Sequence, residues 1–233
     1  MRLLEKSLKL IAPHECILCG NEDSVLCESC ADKHLQVFGE RCAGCNALSV
    51  GSKTCPSCRH GGLPAHVWIS VVYTGVASRL VYKYKFDHQR ECSVVMASLI
   101  TEGLKNNVFG TSGNVQIDNF LVVPVPTATR RVRERGFDHS KLLAKQVVAK
   151  LNLQYVDVIG RVGQKAQVGA SRHTRMAQSQ NEYYLKNSKP ITGKKILLID
   201  DVVTTGATLK ACAGLLRQGG AISVNAAVFA KKI

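Results

Sequence analysis

No stretch of this 233-residue chain approaches the roughly 20 consecutive apolar residues of a membrane-spanning helix, so none is expected. The opening MRLLEKSLKLIAPHEC sets Leu3, Leu4, Leu8 and Ile11 among Glu5, Lys6 and Lys9. That is too short and too charged for a secretory leader. It reads as a short amphipathic helix, and a cytoplasmic location is expected. Low-complexity tracts are missing, and 45% of the residues are hydrophobic, which argues against disorder. A Walker-type nucleotide loop is missing too, because Gly193-Lys194-Lys195 has neither the spacing nor the hydroxyl of GxxxxGK[ST]. Acidic residues are scarce: 17 Asp and Glu stand against 31 Lys and Arg, a net charge of +14. The excess lies wholly after residue 66, since seven basic and seven acidic residues cancel before it. A basic globular part of this kind suits a polyanion or a phosphate-rich ligand.

The neutral first part is rich in cysteine. Eight of the ten cysteines form four CxxC pairs, Cys16/Cys19, Cys27/Cys30, Cys42/Cys45 and Cys55/Cys58, separated by 7, 11 and 9 residues. In a reducing compartment such pairs favour metal over disulfides. A CxxC turn presents two thiolates, and zinc takes four in a tetrahedron. Two zinc ions are expected, in sequential sites (16, 19, 27, 30 and 42, 45, 55, 58) as first choice or an interleaved cross-brace as second. All-cysteine sites leave no open position, so the metal is structural. Redox dithiols are the alternative, although one pair would suffice for that. Loaded sites would give this part a net charge of about −4. Cys92 and Cys212 fall in helical segments and read as small core residues.

A change of composition near residue 65, at Gly61-Gly62-Leu63-Pro64, divides a double zinc ribbon (1–65) from a second unit (66–233). Beyond it strand and helix signals alternate. VWISVVY (67–73), FLVVPVP (120–126), YVDVI (155–159), KKILLID (194–200) and SVNAAVFA (223–230) read as strands. Residues 76–86, 89–105, 139–151 and 208–220 have helical spacing. Apolar strands alternating with helices predict an α/β fold with a parallel sheet covered on both faces.

The run IDDVVTTGAT (199–208) carries the chemistry. In such folds ligands bind beyond the carboxyl ends of the strands. Gly206 lets the backbone approach a ligand, Thr204, Thr205 and Thr208 offer hydroxyls, and the start of the next helix offers unpaired N–H groups. Asp200 and Asp201 would repel a phosphate in contact. One step away they suit sugar hydroxyls, or Mg²⁺ held through water. The pattern is that of a site for a ribose 5-phosphate; the bland alternative is a strand-turn-helix with Thr208 as a helix cap. Ile196 to Thr208 resembles the 5-phosphoribosyl-1-pyrophosphate (PRPP) signature of type I phosphoribosyltransferases. The resemblance implies a PRPP site at Asp200, Asp201, Thr204, Thr205, Gly206, Ala207 and Thr208, with Mg²⁺ arriving on PRPP. It also implies a pyrophosphate side at an earlier strand end, here Pro124, Val125 and Pro126. The polar, basic stretch 161–175, with Arg172 and Arg175, suits a mobile flap over a charged substrate.

Between residues 130 and 175 eleven basic residues stand against three acidic ones. Arg130, Arg131, Arg133 and Arg135 suit phosphodiester oxygens, and Phe137 suits stacking on a base. In Tyr82-Lys83-Tyr84-Lys85-Phe86 the aromatics belong equally well to the core or to a ligand surface. The CxxC set, Lys85-Phe86, PVP (124–126), RGF (135–137), Gln167, Gly169, Arg172 and Arg175, and IDDVVTTGAT together resemble the competence protein F (ComF) family over nearly the whole chain. Asp138-His139 depart from its usual Asn-Gln after RGF. The resemblance implies a PRPP-binding protein that handles single-stranded DNA in bacterial transformation, beside DNA-uptake proteins. The alternatives are an active phosphoribosyltransferase with an unidentified nitrogen acceptor, and a PRPP-sensing regulator.

Overall fold

Parallel pairing of the apolar runs builds the sheet. The computed structural model describes residues 14–109, 117–162 and 182–233. The expected opening helix and most of the 161–175 stretch, with Gln167, Gly169, Arg172 and Arg175, lie outside the described residues. In chain order the strands are β1 (Val67–Val72), β2 (Phe120–Pro124), β3 (Gln154–Tyr155), β4 (Ile159–Arg161), β5 (Tyr183–Leu185), β6 (Lys195–Val203) and β7 (Ser223–Lys231). Five of them form a sheet in the order β1-β7-β6-β2-β3, every neighbour parallel. β4 and β5 form a separate antiparallel pair. The central strands are buried on both faces, as continuous apolar runs require: Ile196 to Ile199 and Ala226 to Ala230 are almost wholly inaccessible.

The helices are α1 (Glu28–His34), α2 (Pro56–His60), α3 (Gly75–Phe86), α4 (Cys92–Phe109), α5 (Thr129–Arg135), α6 (His139–Leu151) and α7 (Ala207–Gln218). α3, α4 and α6 cover one face, where Leu80, Tyr84, Met96, Ile100, Leu143 and Val147 pack with Leu197, Ile199 and Phe229. α7 covers the other, placing Leu209, Cys212, Ala213 and Leu216 on Ile196, Leu198 and Val228. Fully burying one such aliphatic side chain contributes about 1.5–3 kcal/mol, so the two apolar faces fix which way each strand points.

One expected strand is in fact two. Gln154–Tyr155 pairs with β2, whereas Ile159–Arg161 pairs with β5. Asp157 makes the break, because its carboxylate takes Lys141 Nζ at 2.6 Å and Lys186 Nζ at 2.8 Å and cannot stay in an apolar ladder.

The cysteine-rich part clasps the open edge of the sheet. Val72 N–H donates to Gln36 O (2.7 Å) and Phe38 N–H to Ser70 O (3.2 Å), which covers the exposed side of β1. Val25, Leu26 and Ala31 join the core under α3 and α4, while Phe38, Ala43 and Leu63 join the core under α7.

Candidate functional site

β6 carries both acids inside its ladder. Asp200 pairs with Val228, and the strand runs on to Val203 rather than stopping at the acids. Successive strand residues point to opposite faces. Asp201 turns toward α3 and α6, where Lys85 Nζ lies 2.7 Å and His139 Nε2 3.4 Å from Oδ2. Asp200 turns toward α7, near enough for its charge to act on the Cys212 thiol, and its Oδ1 accepts the Asp201 N–H at 2.9 Å.

The two neighbours therefore ionise differently. Burial opposes the charged form of both. For Asp200 burial, reinforced by the adjacent Asp201 charge, prevails and pushes it up to about 7. For Asp201 the Lys85 ammonium, with His139 beside it, prevails and holds the carboxyl below its ordinary value.

Behind Asp201 the contacts continue inward. Arg135 Nη1 lies 2.9 Å from His139 Nδ1. Arginine has only donors, so Nδ1 accepts and the imidazole proton sits on Nε2, facing Asp201. Burial keeps this imidazole neutral, with its pKa down at about 4. Tyr84 Oη donates to His139 O at 2.6 Å. Sequence patterning left the role of YKYKF open. In the fold Tyr84 is buried, Lys85 meets Asp201, and Tyr82 and Phe86 face outward with ring centroids 5.1 Å apart.

The turn after β6 is open. Thr204, Thr205 and Ala207 are exposed, and Thr205 Oγ1 accepts the Ala207 N–H at 3.4 Å. Gly206, not Thr208, caps α7, with φ +78°. A side-chain carbon there would lie 2.8 Å from Leu63 Cδ2, so the position requires glycine on both counts. The Thr208 hydroxyl meets Tyr183 of β5. The first turn of α7 leaves N–H groups without intrahelical partners, so the turn offers donors and no anionic side chain of its own.

Pro124, Val125 and Pro126 end β2 beside this turn, all three buried, with Val125 N–H on Ile199 O at 3.0 Å. Thr127 Oγ1 donates to Asp138 Oδ1 (2.9 Å). Asp138 also accepts the Lys141 N–H and caps α6. The arginines of α5 divide. Arg130, Arg131 and Arg133 are exposed, whereas Arg135 is buried under the Phe86 ring at 5.2 Å. Phe137 is half-buried, between the Tyr84 ring at 5.6 Å and the Arg90 guanidinium at 5.0 Å.

The cysteines gather into two quartets, Cys16, Cys19, Cys27, Cys30 and Cys42, Cys45, Cys55, Cys58, with each quartet's sulfurs within 4.8 Å of one another. The pairing is sequential rather than interleaved. Cys19 and Cys27 Sγ lie 3.7 Å apart, as do Cys45 and Cys55. A tetrahedron with Zn–S of about 2.3 Å has edges of about 3.8 Å, so both quartets fit a structural zinc ion. Against burial, backbone amides lower the Cys16 and Cys42 thiols, while burial and neighbouring sulfurs raise those of Cys30 and Cys58.

Lys85, His139, Leu63 and Lys231 are the partners of this region that motif reading did not assign. Lys231 Nζ donates to Thr204 O at 3.0 Å. Lys85 had a signal in the Lys85-Phe86 segment; a buried lysine at the end of β7 had none.

Residues 138–233 match the family model of the phosphoribosyl transferase domain. Over 230 residues the chain is 28% identical to competence protein ComFC of Streptococcus pneumoniae, covering 91% of this chain and 97% of that protein. It is 31% identical over 177 residues to DNA utilization protein YhgH of Salmonella typhimurium, covering 75% and 76%. With YhgH of Salmonella typhi it shares 30% over 225 residues, covering 93% and 96%. Together with the parallel sheet, these matches give the larger part of the chain the architecture of the type I phosphoribosyltransferases.

Proposed function

The chain belongs to the competence protein F (ComF) family, and from that premise we propose that it binds PRPP or a related ribose phosphate and handles single-stranded DNA in competence. The observation that carries the first half is the turn Thr204-Thr205-Gly206-Ala207 at the mouth of the sheet, in which Thr204, Thr205 and Ala207 are exposed, between a helix start and a buried acid. The 5-phosphate takes the turn's N–H groups and hydroxyls. Asp200 accepts the ribose hydroxyls and loses its proton as the ligand arrives. Asp201, already neutralised by Lys85, steadies the strand behind it. Mg²⁺ would come bound to the pyrophosphate of PRPP and offset its charge, with Pro124, Val125 and Pro126 on that side of the site.

The second half rests on the outward Arg130, Arg131 and Arg133 of α5, a helix whose Arg135 lies on Phe86 of the exposed Tyr82–Phe86 ring pair. Cations track a phosphate backbone, and exposed rings stack unpaired bases. Work on DNA in the cytoplasm, beside the uptake machinery, accords with this surface. No helix among the described residues is long and apolar enough to cross a membrane.

Calorimetric titration with PRPP and Mg²⁺ tests the site. Saturable binding is expected for the natural chain and its loss for Gly206→Ala, whose added carbon meets Leu63. Equal binding by both would remove the turn from the site. An oligonucleotide shift assay tests the surface; affinity falling linearly in log–log form with salt is expected, and no shift at low salt would end that half of the reading.

A further inference from the structure

One side chain touches both the second cysteine quartet and the phosphate turn. Leu63 is 1% exposed. A carbon added at Gly44, inside the Cys42–Cys45 knuckle, would meet Cys58 Sγ at 2.5 Å and Leu63 Cδ1 at 3.0 Å, and one added at Gly206 would meet Leu63 Cδ2 at 2.8 Å. Leu63 is thus wedged between two glycines, one in the knuckle and one in the turn. Its backbone is held from both sides as well. Leu63 N–H donates to Cys58 O (3.3 Å), and Arg217 of α7 donates to Leu63 O (2.9 Å) and Gly62 O (3.0 Å).

Lys231, buried at the end of β7, donates to Thr204 O, the first carbonyl of the turn, at 3.0 Å and holds the turn from the neighbouring strand. The first quartet is tied elsewhere: Arg79 of α3 donates to Ile17 O (3.1 Å), and Cys16 and Cys30 pack with the α3 and α4 core.

We propose that the second cysteine quartet, loaded with metal, positions the phosphate turn through Leu63, and that the first quartet does not. The inference rests on the reading of residues 204–208 as a phosphate site. Metal fixes the two knuckles against each other, the knuckles hold Leu63, and Leu63 walls the left-handed backbone of Gly206. When the metal leaves, the wall loosens with it, and the turn opens. Ligand affinity at the turn thereby depends on the state of a metal site that never touches the ligand.

The test compares Cys45→Ser and Cys19→Ser in the full chain by zinc content, by hydrogen exchange of residues 200–210 without ligand, and by calorimetry with ribose 5-phosphate. Each variant should lose one zinc equivalent. Cys45→Ser should speed exchange in the turn about tenfold or more and weaken binding, while Cys19→Ser should leave the turn's exchange as it was. Should Cys45→Ser fail to fold, Leu63→Ala keeps every cysteine. It should open the turn with both zinc equivalents retained, and Leu63→Met should restore it. Equal effects of the two serine variants, or an unchanged turn in Leu63→Ala, would overturn the proposal. Exchange is read without ligand, so a turn that responds as described while ribose 5-phosphate fails to bind would count against the proposed function and not against this coupling.

Discussion

The two faces of the sheet answer the same residue in opposite ways. On the face covered by α3 and α6, Asp201 is locked by Lys85 at 2.7 Å and backed by His139 and Arg135. On the face covered by α7, Asp200 has no lysine at that distance among the described residues; burial pushes it up to about 7, close to an open turn. One face is closed around an ion pair, and the other keeps a carboxyl ready to ionise. A doubled acid in a motif is therefore not a doubled function. The strand's alternation gives one carboxylate to the scaffold and leaves the other for the proposed ligand.

The largest expected effect breaks the closed face. Lys85→Ala leaves Asp201 buried and uncompensated, and should lower unfolding stability by roughly 3 kcal/mol or more in urea titration at pH 7. Asp200→Asn should cost far less stability yet abolish ribose phosphate binding in calorimetry. Equal destabilisation by the two variants would erase the distinction between the faces.

pH sharpens the comparison next. Asp200 ionises with more difficulty in the folded chain than in the unfolded one. Its stabilising contribution is full below pH 4 and is lost as pH rises toward 7, with a slope of at most about 1.4 kcal/mol per pH unit. Asp201 has a depressed folded value, so its contribution is present above pH 4 and is lost as pH falls through the folded value. Unfolding titrations from pH 4 to 8 should show a stability decline that Asp200→Asn flattens. Ligand affinity should rise over pH 6 to 8, with proton release seen as a dependence of binding heat on buffer.

The smallest effect concerns the outer surface. Replacing one of Arg130, Arg131 or Arg133 with Ala should reduce the log–log salt slope of oligonucleotide binding by about 1. Changing Arg135 to Lys should leave that slope alone, because its guanidinium lies inside against His139. A slope that responds to Arg135 and not to the others would reverse the assignment of that helix.

Much of the fold was legible because it is local. Continuous apolar runs announced the parallel strands, glycine after two threonines announced the turn, and the CxxC spacings announced two quartets. What escaped reading depends on which faces the topology brings together. Nothing in ATRRVRERGF distinguishes Arg135, which turns inward, from the exposed Arg131. Phe137 is half-buried rather than free because α3 places Tyr84 against it. The split of YVDVI required knowing that Lys141 and Lys186 converge on Asp157. Leu63 lay in a segment that reads as a mere connector, although it fills the space between knuckle and turn.

The central claim is that residues after β6 hold a ribose phosphate, and hydrogen exchange with and without PRPP and Mg²⁺ tests it most directly. Slowed exchange at the amides of Thr205 to Leu209, absent in Asp200→Asn, is the predicted result. Saturating PRPP that leaves those amides unchanged would contradict it.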